Sequence, residues 1–211
     1  MKISINALRE RVPLDIAARE LGDRLTMAGF ELESLTHAAP PFSAVVVAEI
    51  IEATRHPQAD KLQICRVAFD ASSGSGEGAL QIVCGAANAR VGLKTALARV
   101  GAELPGALKI KAAKLRGVES AGMLCSAKEL GLAETSEGIL ELPADAPLGQ
   151  SLREYMALDD VVLELAVTPN RGDAMSTRGI AREVAALCGV ALREQNDPAV
   201  AVDAALGAEQ G

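Results

Sequence analysis

The stretch Ala44-Val45-Val46-Val47-Ala48-Glu49-Ile50-Ile51, followed by His56-Pro57-Gln58-Ala59-Asp60-Lys61-Leu62 and Ile82-Val83-Cys84-Gly85-Ala86-Ala87-Asn88, decides the fold. Short Val- and Ile-rich runs separated by Gly, Pro and Asn turns fit strands better than helices. Pro57 ends the first run, because proline has no N–H to give a central ladder. The same reading places further strands at Leu62–Phe69, Leu80–Cys84, Lys94–Val100 and Leu108–Leu115, with Pro105-Gly106 as a turn. Short strands with no helix between them have to curl and close, which predicts a β-barrel. Within Leu62–Phe69 the apolar parity switches after Ile64. A bulge, or burial on both faces, would produce that switch. Asp70–Gly78 is Ser/Gly-rich and reads as a mobile hairpin loop.

Outward from the barrel the pattern changes to helices. Met1–Ile5 is a short strand, and Asn6 is expected to cap a helical turn through Arg11. Asp15 is expected to cap a longer helix whose apolar face is Leu14, Ala18, Leu21, Leu25 and Ala28, with Gly29 as its stop. Phe30, Leu32 and Leu35 suggest an extended return, and Ala38-Ala39-Pro40-Pro41 a stiff junction. Beyond the barrel, Ser126 caps the turn Ala127–Leu130, Gly138–Leu142 is a short strand, and Pro143–Gly149 is a linker. Val161, Leu163, Leu165 and Val167 alternate as in a half-buried strand. Pro169-Asn170-Arg171-Gly172 is a turn, and Asp173 or Ser176 caps a helix with the face Ile180, Val184, Leu187 and Cys188. In that setting Arg171-Gly172-Asp173 reads as turn and cap, not as an adhesion signal.

Composition sets the outer limits. The chain has 211 residues, 49% of them apolar, enough for two small domains or one large one. No apolar run approaches the ~20 residues of a membrane span. The start lacks a long apolar signal region, so a cytoplasmic protein is expected. Cys65, Cys84, Cys125 and Cys188 are scattered and read as buried thiols in a reducing compartment. With two histidines, His37 and His56, a His/Cys zinc site is not expected.

Net charge is −7, but it is unevenly placed: residues 40–130 hold eleven Lys/Arg against eight Asp/Glu, and residues 131–211 hold five against fourteen. Local potential, not whole-chain charge, attracts a phosphate backbone. Lys109 and Lys111 share one face of a strand with Ile110 opposite, and Lys114 and Arg116 follow. Those cations either face RNA or protect a strand edge. Phe30, Phe42, Phe69 and Tyr155 are the aromatic residues, so RNA recognition would rest on phosphate and shape more than on stacking. His56 could contact phosphate or base, or pack beside Pro57. Asp60 suits loop structure, since an acid repels phosphate.

The blocks HPQADKL, IVCGAAN and LRGVESAGMLCSAKELGL, in that order, resemble the tRNA-binding OB-fold module found in methionyl-tRNA synthetases and free-standing tRNA-binding proteins. The opening KISINALRERVPLDIAARELGDRLTMAGFELE and the later LELAVTPNRGDAMSTRGIAREVAALCG resemble the start of bacterial phenylalanyl-tRNA synthetase β subunits, on either side of that module. The resemblance implies an α+β chain: an OB-type β-barrel at 40–151, inserted into a small discontinuous helical domain made of 1–39 and 152–190. Residues 191–211 would be a linker toward a missing editing domain. Together with the charge cluster, it makes His56, Lys61, Asn88, Lys109, Lys111, Lys114 and Arg116 the candidate tRNA contacts. Asp60, Ser126, Pro169, Asn170 and Asp173 become structural motif residues.

The family's β subunit is several times longer, and its ATP and amino-acid sites lie on the α subunit. The present sequence has no phosphate loop or catalytic triad, so this piece is expected to be non-catalytic alone, with no cofactor of its own. The full enzyme would be a heterotetramer that uses ATP and magnesium to charge tRNA with phenylalanine. The alternatives are a stand-alone tRNA-binding module and a protein-interaction scaffold whose barrel is structural.

Overall fold

The structure, a computed structural model, describes residues 1–70 and 78–193. Most of the Ser/Gly-rich loop expected over Asp70–Gly78, and nearly all of the linker expected over 191–211, lie outside the described residues. Two compact units form, one from Met1–Thr36 and Val161–Gly211 and one from His37–Asp160.

The first segment runs β1 (Lys2–Ser4), α1 (Ile5–Arg11), α2 (Ala18–Met27) and β2 (Glu31–His37). Ser4, not Asn6, caps α1: its Oγ accepts the Ala7 N–H at 3.0 Å. Ser4 is the last extended residue before the helix, and only from that position does a side-chain oxygen reach the third helical N–H. Asn6 is already inside the helix. Nor does Asp15 cap α2, whose N-cap is Ala17 with no side-chain hydrogen bond. The other end of α2 follows the expectation. Gly29 adopts φ 93°, its N–H reaches Thr26 O at 3.0 Å, and Phe30 N–H reaches Leu25 O at 2.9 Å. This is the double closure of a left-handed helix stop.

The second unit holds β3 (Val45–Arg55), β4 (Gln63–Ala68), β5 (Leu80–Cys84), β6 (Lys94–Arg99), β7 (Glu103–Leu104), β8 (Leu108–Lys109), β9 (Ala113–Leu115), β10 (Val118–Ser120), β11 (Gly122–Cys125) and α3 (Leu152–Tyr155). An antiparallel sheet with the order β11-β6-β3-β4-β5 curls into a nearly closed barrel. At the seam Ala121 N–H donates to Gln81 O at 2.9 Å, and Val83 N–H donates to Ser120 Oγ at 3.1 Å. On the other side of β11, Gly122 lets the strand lie close on β6, because a Cβ there would lie 2.7 Å from the Ala98 carbonyl. Opposite β4 the register shifts between Ile50 and Glu52, a bulge in β3. β4 itself pairs without a break from Gln63 to Ala68, with Cys65 and Val67 buried and Ile64 half-buried on the other face, so burial on both faces accounts for the parity switch.

Ile50, Ile82 and Leu97 are fully buried inside, and Val47, Leu130 and Leu152 belong to a second apolar cluster of the same unit. Each such side chain contributes about 1.5–3 kcal/mol by leaving water.

The fifth barrel strand is β11, not Leu108–Leu115. That expected strand is divided between two separate two-stranded hairpins, β7-β8 and β9-β10. Its apolar ends cannot anchor a sheet, since Leu108 and Leu115 are 49% and 42% exposed. Gly138–Leu142 likewise forms no strand, only a bridge from Leu142 to Lys94.

The closing segment returns to the first unit with β12 (Val161–Ala166), a 3-10 turn over Pro169–Ala174, and α4 (Thr177–Cys188). Expected to be helical, this unit also carries a three-stranded sheet of order β1-β12-β2. Leu163 and Leu165 of β12 join Ile3, Phe30, Ile180 and Val184 in one core. Of the two possible caps of α4, Ser176 takes the role, its Oγ accepting Gly179 N–H at 3.0 Å. Asp173 instead pairs with Arg171 at 3.1 Å, and Arg171 also reaches Glu183 at 2.6 Å and stacks on the Phe30 ring at 4.7 Å. Pro169 and Asn170 are exposed in the turn, so Arg171-Gly172-Asp173 is a structural corner.

Candidate nucleic-acid interface

The candidate residues of the barrel unit separate into three kinds. Lys111, Lys114 and Arg116 are exposed, and no ion pair engages them among the described residues. Lys111 lies just after β8 with Ile110 buried beside it, so the expected alternation holds locally. Lys114 faces Glu119 in the β9-β10 register, and Arg116 occupies the turn of that hairpin. Beside the hairpin runs a groove of about 580 Å³ lined by Gln81, Ala112, Ala113, Lys114, Glu119 and Ser120. Its small side chains leave room for a backbone. Lys61 is also exposed, on the loop between β3 and β4.

Lys109 is of the second kind. Its ammonium sits 2.7 Å from Glu103 across the β7-β8 hairpin, and that hydrogen bond raises its pKa. A cation already facing a carboxylate has less to give a phosphate. Pairing across a strand edge is the structural reading of this lysine.

His56 and Asn88 are the third kind, and neither points to a ligand. His56 is 5% exposed, with Nδ1 accepting Gln58 N–H at 3.1 Å and Nε2 at 3.2 Å from Leu115 O. Asn88 donates from Nδ2 to Ile139 O at 2.9 Å and to Glu141 at 3.0 Å, while its Oδ1 accepts Ile139 N–H at 3.0 Å. The amide imitates a strand edge, joining the turn after β5 to a distant loop. Arg90 completes the clasp with two bonds to Glu141, at 2.9 and 2.8 Å. The Arg90 bonds, then that of Asn88, hold the Glu141 carboxyl down at about 2.

The loop after β3 is closed by His56 and by Leu62 N–H to Ala59 O at 3.0 Å, while Asp60 is exposed. His56, not the expected Asp60, is therefore its anchor. Ser126 is structural as expected: its Oγ accepts Glu129 N–H at 3.2 Å, and Glu129 Oε2 accepts Ser126 N–H and Oγ–H, both at 2.7 Å. Those bonds form a reciprocal cap.

Two further residues escaped the sequence reading. Arg55 is exposed at the end of β3, and its position just before the His56 block was the available signal. Arg153 lies under the Pro40 junction, donating to Pro40 O at 2.8 Å and to Asp159 at 2.7 Å, with Phe42 at 4.8 Å. Nothing in the spacing of those residues indicated it.

A nearly closed antiparallel barrel with free cations on its flanking hairpins belongs to the class of barrels that present a cationic rim. Comparison with known proteins narrows this class. A family model described as "Putative tRNA binding domain" matches residues 45–151, and the chain belongs to that family. The chain is 55% identical over 202 residues to a phenylalanine–tRNA ligase beta subunit of Methylococcus capsulatus, covering 96% of this chain and 25% of that protein. It is 51% identical over 201 residues to the beta subunit of Pseudomonas putida, covering 95% and 25%. The chain thus spans about a quarter of the length of the curated relatives it matches. A solved structure, a MetRS related protein from Pyrococcus horikoshii, is 21% identical with a TM-score of 0.35, covering 64% of this chain and 96% of its own. Among the described residues no helix is long and apolar enough to cross a membrane.

Proposed function

We propose that this chain is the N-terminal part of a phenylalanine–tRNA ligase β subunit, and that its OB-type barrel binds tRNA through phosphate contacts from Lys111, Lys114 and Arg116. One observation carries the reading: these three exposed cations make no ion pair among the described residues, and they flank a barrel that lies within the tRNA-binding family match. The barrel, residues 40–151, is inserted into a discontinuous domain of 1–39 and 152–190. The grouping of Met1–Thr36 with Val161–Gly211 supports this. In the full heterotetramer, in the cytoplasm, the α subunit is the partner, and ATP with magnesium drives the charging of tRNA with phenylalanine. This piece assists by holding tRNA and is non-catalytic alone.

Titration with tRNA at two salt concentrations tests the barrel's role. Replacing Lys111 and Lys114 with Ala lowers the slope of log affinity against log salt by about two. Stability changes by less than about 0.5 kcal/mol, since exposed charges contribute little to folding. Identical titrations for wild type and double variant would assign these lysines to edge protection and favour a scaffold.

A further inference from the structure

The ring of His56 is fully committed. An Nδ1 that accepts the Gln58 N–H carries no proton, so the neutral ring is protonated on Nε2 and donates to Leu115 O at 3.2 Å. One side chain therefore closes its own loop and grips the neighbouring β9-β10 hairpin. Gln58 follows the same path, since its Oε1 lies 3.8 Å from where a Cβ on Gly117 would be. The residue after Leu115 is Arg116, at φ 47°, and Gly117 follows at φ 87°. Two successive left-handed residues make the tight turn that favours Asn or Gly at its first position. An arginine there is strained, and strain of this kind collects where a side chain has a task.

We propose that His56 is a positioning residue for RNA: it fixes the β9-β10 hairpin to the β3–β4 loop, so that Arg116 on the turn and Lys61 on the loop form one phosphate-binding face. This inference rests on the RNA-binding reading above. Neither cation has an acidic partner among the described residues, and both are exposed. Without the His56 bridge the hairpin would be held only on its β10 side, by the seam with β5, and a phosphate tract would have to order its turn against the β3–β4 loop on binding.

The test uses variants that keep every Lys and Arg. His56→Asn retains an acceptor for the Gln58 N–H, as in an Asx turn, but is too short for Leu115. His56→Gln extends a donor far enough to reach Leu115 O. Affinity for a fluorescently labelled tRNA transcript is measured over a salt series, with melting followed by circular dichroism.

His56→Asn is expected to weaken binding roughly five-fold and to flatten the salt slope by about one, as Arg116→Ala does. Arg116→Ala added to His56→Asn then changes little, and His56→Gln stays within about two-fold of wild type. Wild-type binding with an unchanged His56→Asn affinity and slope would overturn the positioning role alone. A wild type without salt-dependent tRNA affinity would overturn the RNA-binding reading and this one with it. If His56→Asn does not fold, Lys61→Ala decides, because its exposed side chain is dispensable for folding. A joint face requires it to weaken binding, and unchanged binding overturns that face.

Discussion

Asn88→Ala separates a structural clasp from a ligand contact. The substitution removes both bonds between the Asn88 amide and the main chain of Ile139, and the bond to Glu141. Ile139 is 6% exposed, so water does not readily replace the lost partners. Each main-chain group left unpaired there costs about 1–1.5 kcal/mol, for about 2–3 kcal/mol in all. The Glu141 bond is exposed and adds little.

Tyr155 is the only tyrosine and there is no tryptophan, and Tyr155 packs against the core of the barrel unit. Its fluorescence in urea therefore reports on this unit. The midpoint should fall with the slope m unchanged. The melting temperature should fall by roughly 4–12 °C, at about 2–4 °C per kcal/mol. Affinity for tRNA, measured where both proteins are folded, should stay within about two-fold. A loss below about 0.5 kcal/mol together with clearly weaker tRNA binding would refute the clasp and return Asn88 to the interface.

Thr95 Oγ1 is a buried oxygen with no hydrogen-bond partner among the described residues, so Thr95→Val should stabilise by about 1 kcal/mol in the same denaturation assay. Burial pushes the thiols of Cys65 and Cys125 up to about 11 and about 12 and also raises that of Cys84, whereas Cys188 is half-buried at the end of α4. A disulfide-exchange reagent at pH 8 should therefore titrate one thiol quickly in the native protein and four in denaturant. Glu141, held at about 2 against an ordinary 4.5, contributes stability that is complete above pH 4.5 and is lost as pH falls toward 2. Glu141→Gln should accordingly lose less melting temperature between pH 6 and pH 3 than the wild type does.

Most barrel strands were legible because their residues act locally. Val45 to Ile51 and Leu80 to Cys84 are rich in β-branched residues, and their burial follows. The fifth strand was not legible, since Gly122-Met123-Leu124-Cys125 contains no β-branched residue. Meanwhile Leu108 to Leu115 alternates convincingly around Ile110 yet leaves its leucines exposed. At the site, charge was legible and partnership was not. Asn88 meets Ile139 at 51 residues' separation, and His56 meets Leu115 at 59. Neither pairing has a sequence pattern, because each depends on how the barrel closes. The pairing of Lys109 with Glu103 is more local, across the Pro105-Gly106 turn, and an acid opposite a lysine in a tight hairpin was the available signal.

The small number of free cations sets what such a barrel does. Four phosphate contacts, from Lys61, Lys111, Lys114 and Arg116, give a salt slope of about −3.6, which amounts to roughly a 150-fold loss of affinity between 50 and 200 mM salt. A surface of this kind holds RNA poorly by itself at cellular ionic strength. On the proposed function the balance differs, because a tRNA already held by other parts of a larger ligase would meet the barrel at an effective concentration on the order of 1 mM. Against a dissociation constant at the weak end of non-specific nucleic-acid binding, about 100 μM, that would give roughly ten-fold tighter binding overall. Such a gain depends on geometry, since a barrel whose cation-bearing loops wander cannot meet a tRNA fixed by other contacts. The rigid links at Leu115 and Ile139 therefore belong to the same design as the weak charge: few contacts, held in place.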